Sequence, residues 1–304
     1  MYDIIVIGAG PAGLTAAIYA RRAEKSVLVI ERETFGGQIT HSPRVENYPG
    51  FAVMSGIEFA DKLIDQTLSL GAEIELDTVT SVTGESGNFT VTCEGNEYTA
   101  KSVIIAAGSK HRTLGLEREN EFTGEGISYC AVCDGAFYKG KTVAIIGGGN
   151  SALQEAVMLS DICEMVYVVQ NLDFLTGETK LQNDLETREN VEIILSSTVD
   201  SIIGENEFQG ILLDTNGIKT ELAVDGMFVA IGQKPENEPF EKLVSLNDYG
   251  YVVSDESCVP QGAKEGIFVA GDCRTKTIRQ ITTATGDGAV AAIAACKFVD
   301  SLKG

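Results

Sequence analysis

Two cysteines three positions apart are the residues whose spacing most directly suggests chemistry. Cys130 and Cys133 form a C-x-x-C pair, and Asp134 follows at once. In an intracellular protein this spacing indicates a redox dithiol or part of a metal site. A structural zinc ion would need two further ligands, but the chain has only His41 and His111 and no second C-x-x-C. We therefore expect a dithiol/disulfide pair and no metal.

The remaining cysteines have no such pairing. They stand alone in the sequence, and we expect them to be small buried hydrophobic residues. They are Cys93, Cys163, Cys258, Cys273 and Cys296.

Composition limits the class of partner. The 304 residues include 23 Lys and Arg against 44 Asp and Glu, a net charge of −21. Nucleic acids and anionic membranes are bound through Lys and Arg, so we expect neither as a partner. No apolar run approaches the ~20 residues of a membrane helix. No basic segment precedes the first apolar run, and we expect a cytoplasmic protein.

The elements that could position the dithiol begin with a glycine turn. Gly8, Gly10 and Gly13 form G-x-G-x-x-G between a predicted strand at 2–7 and a helix to about residue 22. A second strand, 27–30, ends at Glu31. In this context the motif indicates a dinucleotide site, in which the glycines allow the turn, the approach of the pyrophosphate and close packing. The pyrophosphate would cap the helix, and Glu31 would bind a ribose hydroxyl.

The same pattern recurs later in the chain. A predicted strand at 142–146 precedes a G-x-G-x-x-A turn at 147–152, a helix at about 153–159 and a strand at 166–169. We therefore predict an α/β protein with two Rossmann-type three-layer domains. Another apolar segment, 267–270, and a Gly/Ala-rich helix at 282–298 follow. We predict that the second domain, 116–244, is inserted into the first, which comprises 1–115 and 245–304.

Further motifs accompany these turns in a characteristic order. They are Gly36-Gly37-Gln38, Val45-Glu46-Asn47-Tyr48-Pro49-Gly50, Cys130-Ala131-Val132-Cys133-Asp134-Gly135, Gly271-Asp272 and Arg279-Gln280. Together the whole chain resembles the low-molecular-weight thioredoxin reductases. The resemblance implies FAD in the discontinuous domain, a pyridine-nucleotide-type domain that carries the dithiol, thioredoxin as the partner, and a homodimer.

The resemblance also implies a role for each site residue. Cys133 would face the flavin, Cys130 would attack the disulfide of thioredoxin, and Asp134 would exchange protons. Glu31 would hold the adenosine ribose and Asp272 the ribityl chain, while Gln38, Asn47 and Gln280 would lie near the flavin. The expected FAD-binding residues are Gly8, Gly10, Ala12, Gly13, Glu31, Gly37, Gln38, Asn47, Gly271, Asp272, Arg279 and Gln280.

The second domain departs from the family where NADP would be selected. Gln170 is as far from Gly147 as Glu31 is from Gly8. Family members usually carry paired arginines just after this position and a third four residues on, but here Asn171, Leu172 and Thr176 replace them. Arginine–phosphate contacts are among the stronger hydrogen bonds, so their loss removes NADP selectivity. The chain thus resembles the subset that takes electrons from ferredoxin or flavodoxin.

Three alternatives stay open at this point: an NAD(P)H-dependent reductase with a relaxed nucleotide pocket, a flavin dithiol oxidase, and a non-catalytic flavin-binding redox sensor. The intact C-x-x-C followed by an acid disfavours the sensor. Two basic clusters could dock an acidic electron carrier. They are Arg21, Arg22 and Lys25, and Lys110, His111 and Arg112.

Overall fold

The computed structural model describes residues 1–42 and 45–302, and the chain divides into two compact units. Met1–Lys110 together with Lys234–Gly304 form the first unit, and His111–Gln233 form the second. The second unit is thus an insertion in the first. Two short strands at the crossings, Ser109–His111 and Gln233–Pro235, pair with each other.

The elements of the first unit up to the crossing alternate between strands and helices before a β-meander. In chain order they are β1 (Tyr2–Ile7), α1 (Pro11–Arg22), β2 (Val27–Glu31), α2 (Gly56–Ser69), β3 (Glu73–Leu76), β4 (Val79–Glu85), β5 (Asn88–Cys93), β6 (Glu97–Ile105) and β7 (Ser109–His111).

The second unit begins with short elements around the C-x-x-C. In chain order its elements are α3 (Glu119–Phe122), β8 (Ile127–Ser128), α4 (Ala131–Asp134), β9 (Thr142–Ile146), α5 (Asn150–Ser160), β10 (Met165–Val169), α6 (Thr179–Glu186), β11 (Val191–Ile194), β12 (Ser197–Ile203), β13 (Gly210–Thr215), β14 (Ile218–Ala223) and β15 (Gly226–Val229). The chain then returns through β16 (Gln233–Pro235) to β17 (Ile267–Val269) and α7 (Ile281–Ser301).

A parallel sheet forms the centre of the first unit. Its strands lie in the order β3-β2-β1-β6, β17 also pairs with β6, and the antiparallel strands β5 and β4 extend it. Side chains alternate between its faces. Ile4 and Val6 pack with α1 and α7, whereas Ile5 and Ile7 pack with residues of β4, β5 and the segment around Phe240. Both faces are therefore covered, which explains why β1 is apolar throughout.

The second unit repeats this arrangement. Its parallel sheet has the order β11-β10-β9-β15-β8, and a separate antiparallel sheet has the order β12-β13-β14. Val143 and Ile145 of β9 pack with α5, while Ala144 and Ile146 pack in the core that includes β13. The prediction of an α/β protein with two Rossmann-type units is confirmed.

Helix α7 returns the chain onto the first glycine turn. It begins at Ile281 and extends to Ser301, beyond both ends of the predicted 282–298. A Cβ at Gly288 would lie 2.2 Å from the carbonyl oxygen of Ala12, so the close contact of α7 with α1 requires a glycine there. Within residues 1–42 and 45–302, no helix is long and apolar enough to cross a bilayer.

Candidate redox and dinucleotide sites

The C-x-x-C pair lies at the start of the one-turn helix α4. Cys130 precedes the helix and Cys133 lies within it, so one turn brings their side chains together. The two cysteines form a disulfide, with their Cα atoms 5.3 Å apart. The Cys133 N–H also donates to Cys130 Sγ at 3.2 Å. The expected dithiol/disulfide pair is therefore present.

Asp134 follows Cys133 directly as the last residue of α4. The Ser128 hydroxyl, at the end of β8, donates to Asp134 Oδ2 at 2.7 Å. Asp134 Oδ1 is buried and accepts no hydrogen bond from any described residue. Burial raises the pKa of Asp134, and the Ser128 hydrogen bond offsets part of that effect. The group can therefore hold a proton beside the dithiol at higher pH than an exposed aspartate.

A second acid near the dithiol, Glu155, was missed by the sequence reasoning. Its Oε2 accepts a hydrogen bond of 3.3 Å from the N–H of Ala131, the first residue of α4. Burial raises the pKa of Glu155 to about 7. The available signal was its place on α5, where Ala152 and Ala156 form a buried face beside it.

The unpaired cysteines are structural. All five, Cys93, Cys163, Cys258, Cys273 and Cys296, are buried and free. The Cys163 thiol, for example, donates to the carbonyl oxygen of Tyr138 at 3.3 Å, and burial raises its pKa to about 11. Such a thiol is unreactive at neutral pH. The expectation that these five cysteines are small buried residues is confirmed.

The first glycine turn has three glycines with different reasons to be glycine. Gly8 has φ of 108°, and a Cβ there would lie 2.3 Å from the Ala106 carbonyl oxygen. A Cβ at Gly13 would lie 1.9 Å from the Gly8 carbonyl oxygen. At Gly10, in contrast, the nearest protein atom would be 3.9 Å away. Packing requires Gly8 and Gly13, whereas Gly10 leaves open space at the start of α1 that fits a pyrophosphate.

Glu31, at the end of β2, accepts hydrogen bonds from the backbone of the glycine turn and of the residues that follow β2. Its Oε2 accepts from the Ala9 N–H at 2.7 Å, and its Oε1 accepts from the N–H groups of Arg32 and Glu33 at 2.9 and 3.0 Å. These backbone contacts fix the carboxylate beside the turn. The predicted contact of Glu31 with a ribose hydroxyl stays a prediction.

Two residues that we expected near the flavin, Asn47 and Gln280, lie together although they come from distant segments of the chain. Asn47 Nδ2 donates to Gln280 Oε1 at 3.1 Å, although the two are 233 positions apart. Gln280 precedes α7 as its N-cap residue. Gly37 has φ of 65° and opens a short 3-10 turn on which Gln38 is exposed. The structure joins Asn47 to Gln280 but gives Gln38 no comparable contact among the described residues.

Asp272 presents a buried oxygen that suits a ligand hydroxyl. Its Oδ1 is buried and accepts no hydrogen bond from any residue that the structure describes. Burial raises the pKa of this carboxyl. Gly271 has φ of 82° and lies against Ala12, where an added Cβ would be 2.8 Å from the alanine Cβ. Arg279 donates to the Asp272 carbonyl oxygen at 3.4 Å and lies over the Tyr251 ring. An orphaned buried acceptor here fits the ribityl chain of FAD.

Comparison with known proteins agrees with this arrangement. Residues 2–288 match the profile of the pyridine nucleotide-disulphide oxidoreductase family. A thioredoxin reductase of Bacillus subtilis is 42% identical over 306 residues, covering 100% of this chain and 96% of that protein. The chain belongs to the low-molecular-weight thioredoxin reductase family. Its members are flavin disulfide oxidoreductases that bind FAD, so the predicted enzyme class and cofactor are confirmed.

Two further proteins illustrate the extent of the likeness. A Clostridium pasteurianum protein described as a 34.2 kDa protein in the rubredoxin operon is 41% identical over 300 residues, covering 98% of this chain and 97% of its own. The crystal structure of a thioredoxin reductase from Streptococcus pyogenes superposes with a TM-score of 0.94 at 37% identity, over 99% of both chains.

In this protein the second glycine turn is in contact with the segment that follows β10. A Cβ at Gly148 would lie 2.6 Å from Cδ of the buried Gln170, which stands where Glu31 stands in the first unit. The N–H groups of Thr176 and Gly177 donate to the Gly148 carbonyl oxygen at 2.8 and 2.9 Å. The segment after β10 therefore lies directly on the turn.

Glu178 brings a carboxylate to the start of helix α5. Its N–H donates to Asn150 Oδ1 at 2.6 Å, and Asn150 Nδ2 donates back to Glu178 Oε1 at 3.3 Å. Asn150 is the first residue of α5. A nucleotide phosphate at this helix start would meet a negative charge instead of the family's arginines.

The first basic cluster is largely used inside the first unit. Arg21 donates to the carbonyl oxygens of Leu70 and Lys25 at 2.9 and 2.7 Å. Lys25 is buried and paired with Asp300 at 2.5 Å. Arg22 remains exposed. The cluster therefore offers less positive surface than its sequence suggests.

The second basic cluster is reduced in the same way. Lys110 is paired with Glu33 at 2.5 Å. Burial lowers the pKa of His111, whose ring stacks on Tyr129 with centroids 5.4 Å apart. Arg112 is exposed. Arg22 and Arg112 are thus the cluster members best placed to meet an acidic carrier.

Proposed function

We propose that this protein is a thioredoxin reductase that receives electrons from ferredoxin or flavodoxin instead of NADPH. The observation that carries the choice of donor is the covered second glycine turn, with Thr176 and Gly177 bonded to Gly148 and a carboxylate at the start of α5. Thioredoxin is proposed because relatives from Bacillus subtilis and Listeria monocytogenes carry the name thioredoxin reductase.

The residues of the first unit would hold FAD. Gly10 leaves room for the pyrophosphate at α1, and Asp272 Oδ1 offers an acceptor to the ribityl hydroxyls. Asn47 and Gln280 orient each other at the start of α7. When bound, FAD accepts electrons one at a time and delivers them in pairs.

The disulfide would pass such a pair to thioredoxin. Two electrons and one proton break the Cys130–Cys133 bond and leave a Cys133 thiol and a Cys130 thiolate. Cys130 attacks the disulfide of thioredoxin, and the released thiolate takes a proton from Asp134, whose raised pKa keeps that proton available. The Cys133 thiol returns its proton to Asp134, and the resulting thiolate attacks the mixed disulfide, which restores the Cys130–Cys133 bond. The second thioredoxin sulfur leaves as a thiolate and takes its proton from solvent, which gives dithiol thioredoxin.

The energetics favour such a donor. Plant-type ferredoxins lie near −400 mV and thioredoxin near −270 mV, a gap of roughly 130 mV. Because about 30 mV corresponds to 1.4 kcal/mol for a two-electron couple, the transfer is downhill by roughly 6 kcal/mol.

The proposal includes a cytoplasmic homodimer. Exposed apolar side chains at Phe51, Val53 and Ile57 support self-association, since they lie close together in the sequence of the first unit. Light scattering of the FAD-loaded protein should give twice the mass of one chain. A single-chain mass at micromolar concentration would contradict the dimer.

The direct test is anaerobic reduction of the bound flavin by each donor in turn. Reduced ferredoxin or flavodoxin should bleach the flavin and support thioredoxin reduction, whereas NADPH and NADH should not. Efficient reduction by NADH alongside failure of ferredoxins and flavodoxins would favour the nicotinamide-dependent alternative. Oxygen consumption driven by a small dithiol would favour the oxidase, and flavin reduction without thioredoxin turnover would favour the sensor.

Docking of an acidic carrier can be tested on the exposed arginines. Arg22→Glu and Arg112→Glu should slow flavin reduction by ferredoxin, and added salt should slow the wild type, because exposed charges are screened over ~8 Å. Lys242→Glu makes the same change in net charge at another exposed position and should have less effect. Reduction by dithionite should be equal in all variants. If ferredoxin reduced the flavin at the same rate in the wild type and in all three variants, neither arginine would be part of the docking site.

A further inference from the structure

Glu155 is a half-buried acid beside the redox turn that the mechanism above does not use. It lies on α5, and its Oε2 is 3.3 Å from the amide nitrogen of Ala131. That nitrogen is bonded to the carbonyl carbon of Cys130. The carboxyl group is therefore a near neighbour of one of the two redox cysteines, on the element that packs against α4.

We propose that Glu155 is a positioning residue that sets the acidity of the Cys130 thiol in the reduced enzyme. The inference rests on the proposed function, in which Cys130 is the cysteine that attacks thioredoxin. Glu155 acts through its charge next to Cys130 and makes no contact with the disulfide of the partner.

The physical reason is the repulsion between two negative charges in a partly buried site. Reduction takes two electrons from the flavin and one proton, and it leaves a thiolate at Cys130 and a thiol at Cys133. A thiolate raises the pKa of a nearby carboxyl, so Glu155 takes up a second proton from solvent as the thiolate forms. Conversely, an ionised Glu155 raises the pKa of the Cys130 thiol. Because burial places the pKa of Glu155 at about 7, this influence changes across neutral pH.

Two of the other charged groups around α5 have partners of their own. Asp134 accepts from Ser128, and Arg188 donates to Ser160 near the end of α5 and pairs with Asp161 and Asp184. Among the described residues, Glu155 accepts a hydrogen bond only from the N–H of Ala131. The titratable groups on the elements packed against α5 are Cys133, Asp134, Tyr167, Lys180, Asp184 and Glu186. Cys130, Tyr138 and Arg188 lie just outside these elements.

The test measures the acidity of Cys130 directly. In the full-length, FAD-loaded Cys133→Ser protein, Cys130 is the remaining redox thiol, and the other cysteines are buried. Its alkylation by iodoacetamide is followed between about pH 5.5 and 9.5, with mass spectrometry to identify the labelled peptide. The rate reports the thiolate fraction, because the thiolate is the nucleophile.

Three substitutions in this background separate charge from structure. Glu155→Gln keeps an oxygen that can accept from Ala131 but removes the charge. It should lower the pKa of Cys130 and raise the alkylation rate at about pH 8 by about threefold. Glu155→Ala should act in the same direction. Glu186→Gln, the same chemical change at an exposed position of α6, should leave the profile unchanged.

A Glu155→Gln profile equal to that of the parent protein would overturn the proposal. So would a change seen with Glu155→Ala alone, since that would show only a structural role for the hydrogen bond to Ala131. Thioredoxin turnover by the wild type tests the proposed function separately. If the wild type did not turn over thioredoxin, the proposed function would be wrong, and the alkylation result would still decide whether Glu155 influences the acidity of Cys130.

Discussion

Glu178 and Asn150 hold each other at the start of helix α5 through two hydrogen bonds, of 2.6 and 3.3 Å. The pair attaches the segment that follows β10 to the helix that begins at the second glycine turn. It places a carboxylate where other Rossmann units bind phosphate. The segment that lacks the family's arginines therefore also supplies a carboxylate at the start of α5.

This relationship predicts the response to NADPH. Micromolar NADPH should leave the wild-type flavin oxidised under anaerobic conditions. A variant with Arg at 171, 172 and 176 together with Glu178→Gln should gain reduction by NADPH. Each restored arginine–phosphate contact of about 1.5–3 kcal/mol corresponds to roughly 10- to 100-fold in affinity. The three arginines without Glu178→Gln serve as the matched control and should gain less. Rapid reduction of the wild type would refute the prediction.

The cysteines should separate cleanly by function. Cys130→Ser or Cys133→Ser should abolish thioredoxin reduction and leave the flavin reducible, because each removes one half of the disulfide. Cys163→Ser should keep most activity, since this thiol is buried in the core and bonded to the Tyr138 carbonyl. Turnover and absorbance spectra of the three variants provide the measurement. Complete inactivation by Cys163→Ser would contradict the assignment.

Asp134 should govern the alkaline limb of the pH profile. Burial raises its pKa, and the Ser128 hydroxyl lowers it. Ser128→Ala should therefore raise the pKa further, keep the acid form to higher pH, and move the alkaline limb of thioredoxin reduction upward. Asp134→Asn should remove that limb and slow turnover by roughly 10²-fold or more. If the alkaline limb of Ser128→Ala stayed at the wild-type pH, the limb would not arise from the titration of Asp134.

Two glycines of the first turn should fail in different ways when replaced by alanine. Gly10→Ala meets no protein atom within 3.9 Å, so stability should change by less than about 1 kcal/mol while FAD affinity falls, because the new methyl group occupies the space for the pyrophosphate. Gly13→Ala would bring a Cβ to 1.9 Å from the Gly8 carbonyl oxygen and should cost about 3 kcal/mol or more. Urea unfolding of the apoproteins and FAD titration measure the two effects. Unchanged FAD affinity in Gly10→Ala would place the pyrophosphate elsewhere.

Much of the fold could be predicted because its signals are local. Strands β1 and β9 have the predicted bounds of 2–7 and 142–146, since a short apolar run buried on both faces of a sheet is evident in one dimension. The glycine turns are equally local, because Gly8 adopts a positive φ that other residues avoid. The C-x-x-C places its sulfurs together within a single turn. These features depend on neighbours a few positions apart.

What the tertiary structure alone decided is which polar groups are buried and paired across long separations. The contact of Asn47 with Gln280 spans 233 positions, and the pairing of Lys25 with Asp300 turns an apparent surface cation into a buried one. Glu155 differs from an ordinary helix glutamate only because α4 packs over it. Burial and charge neutralisation depend on atoms brought together by packing, so residue types and spacing determined the chemistry available to this protein, and the fold decided which groups can use it.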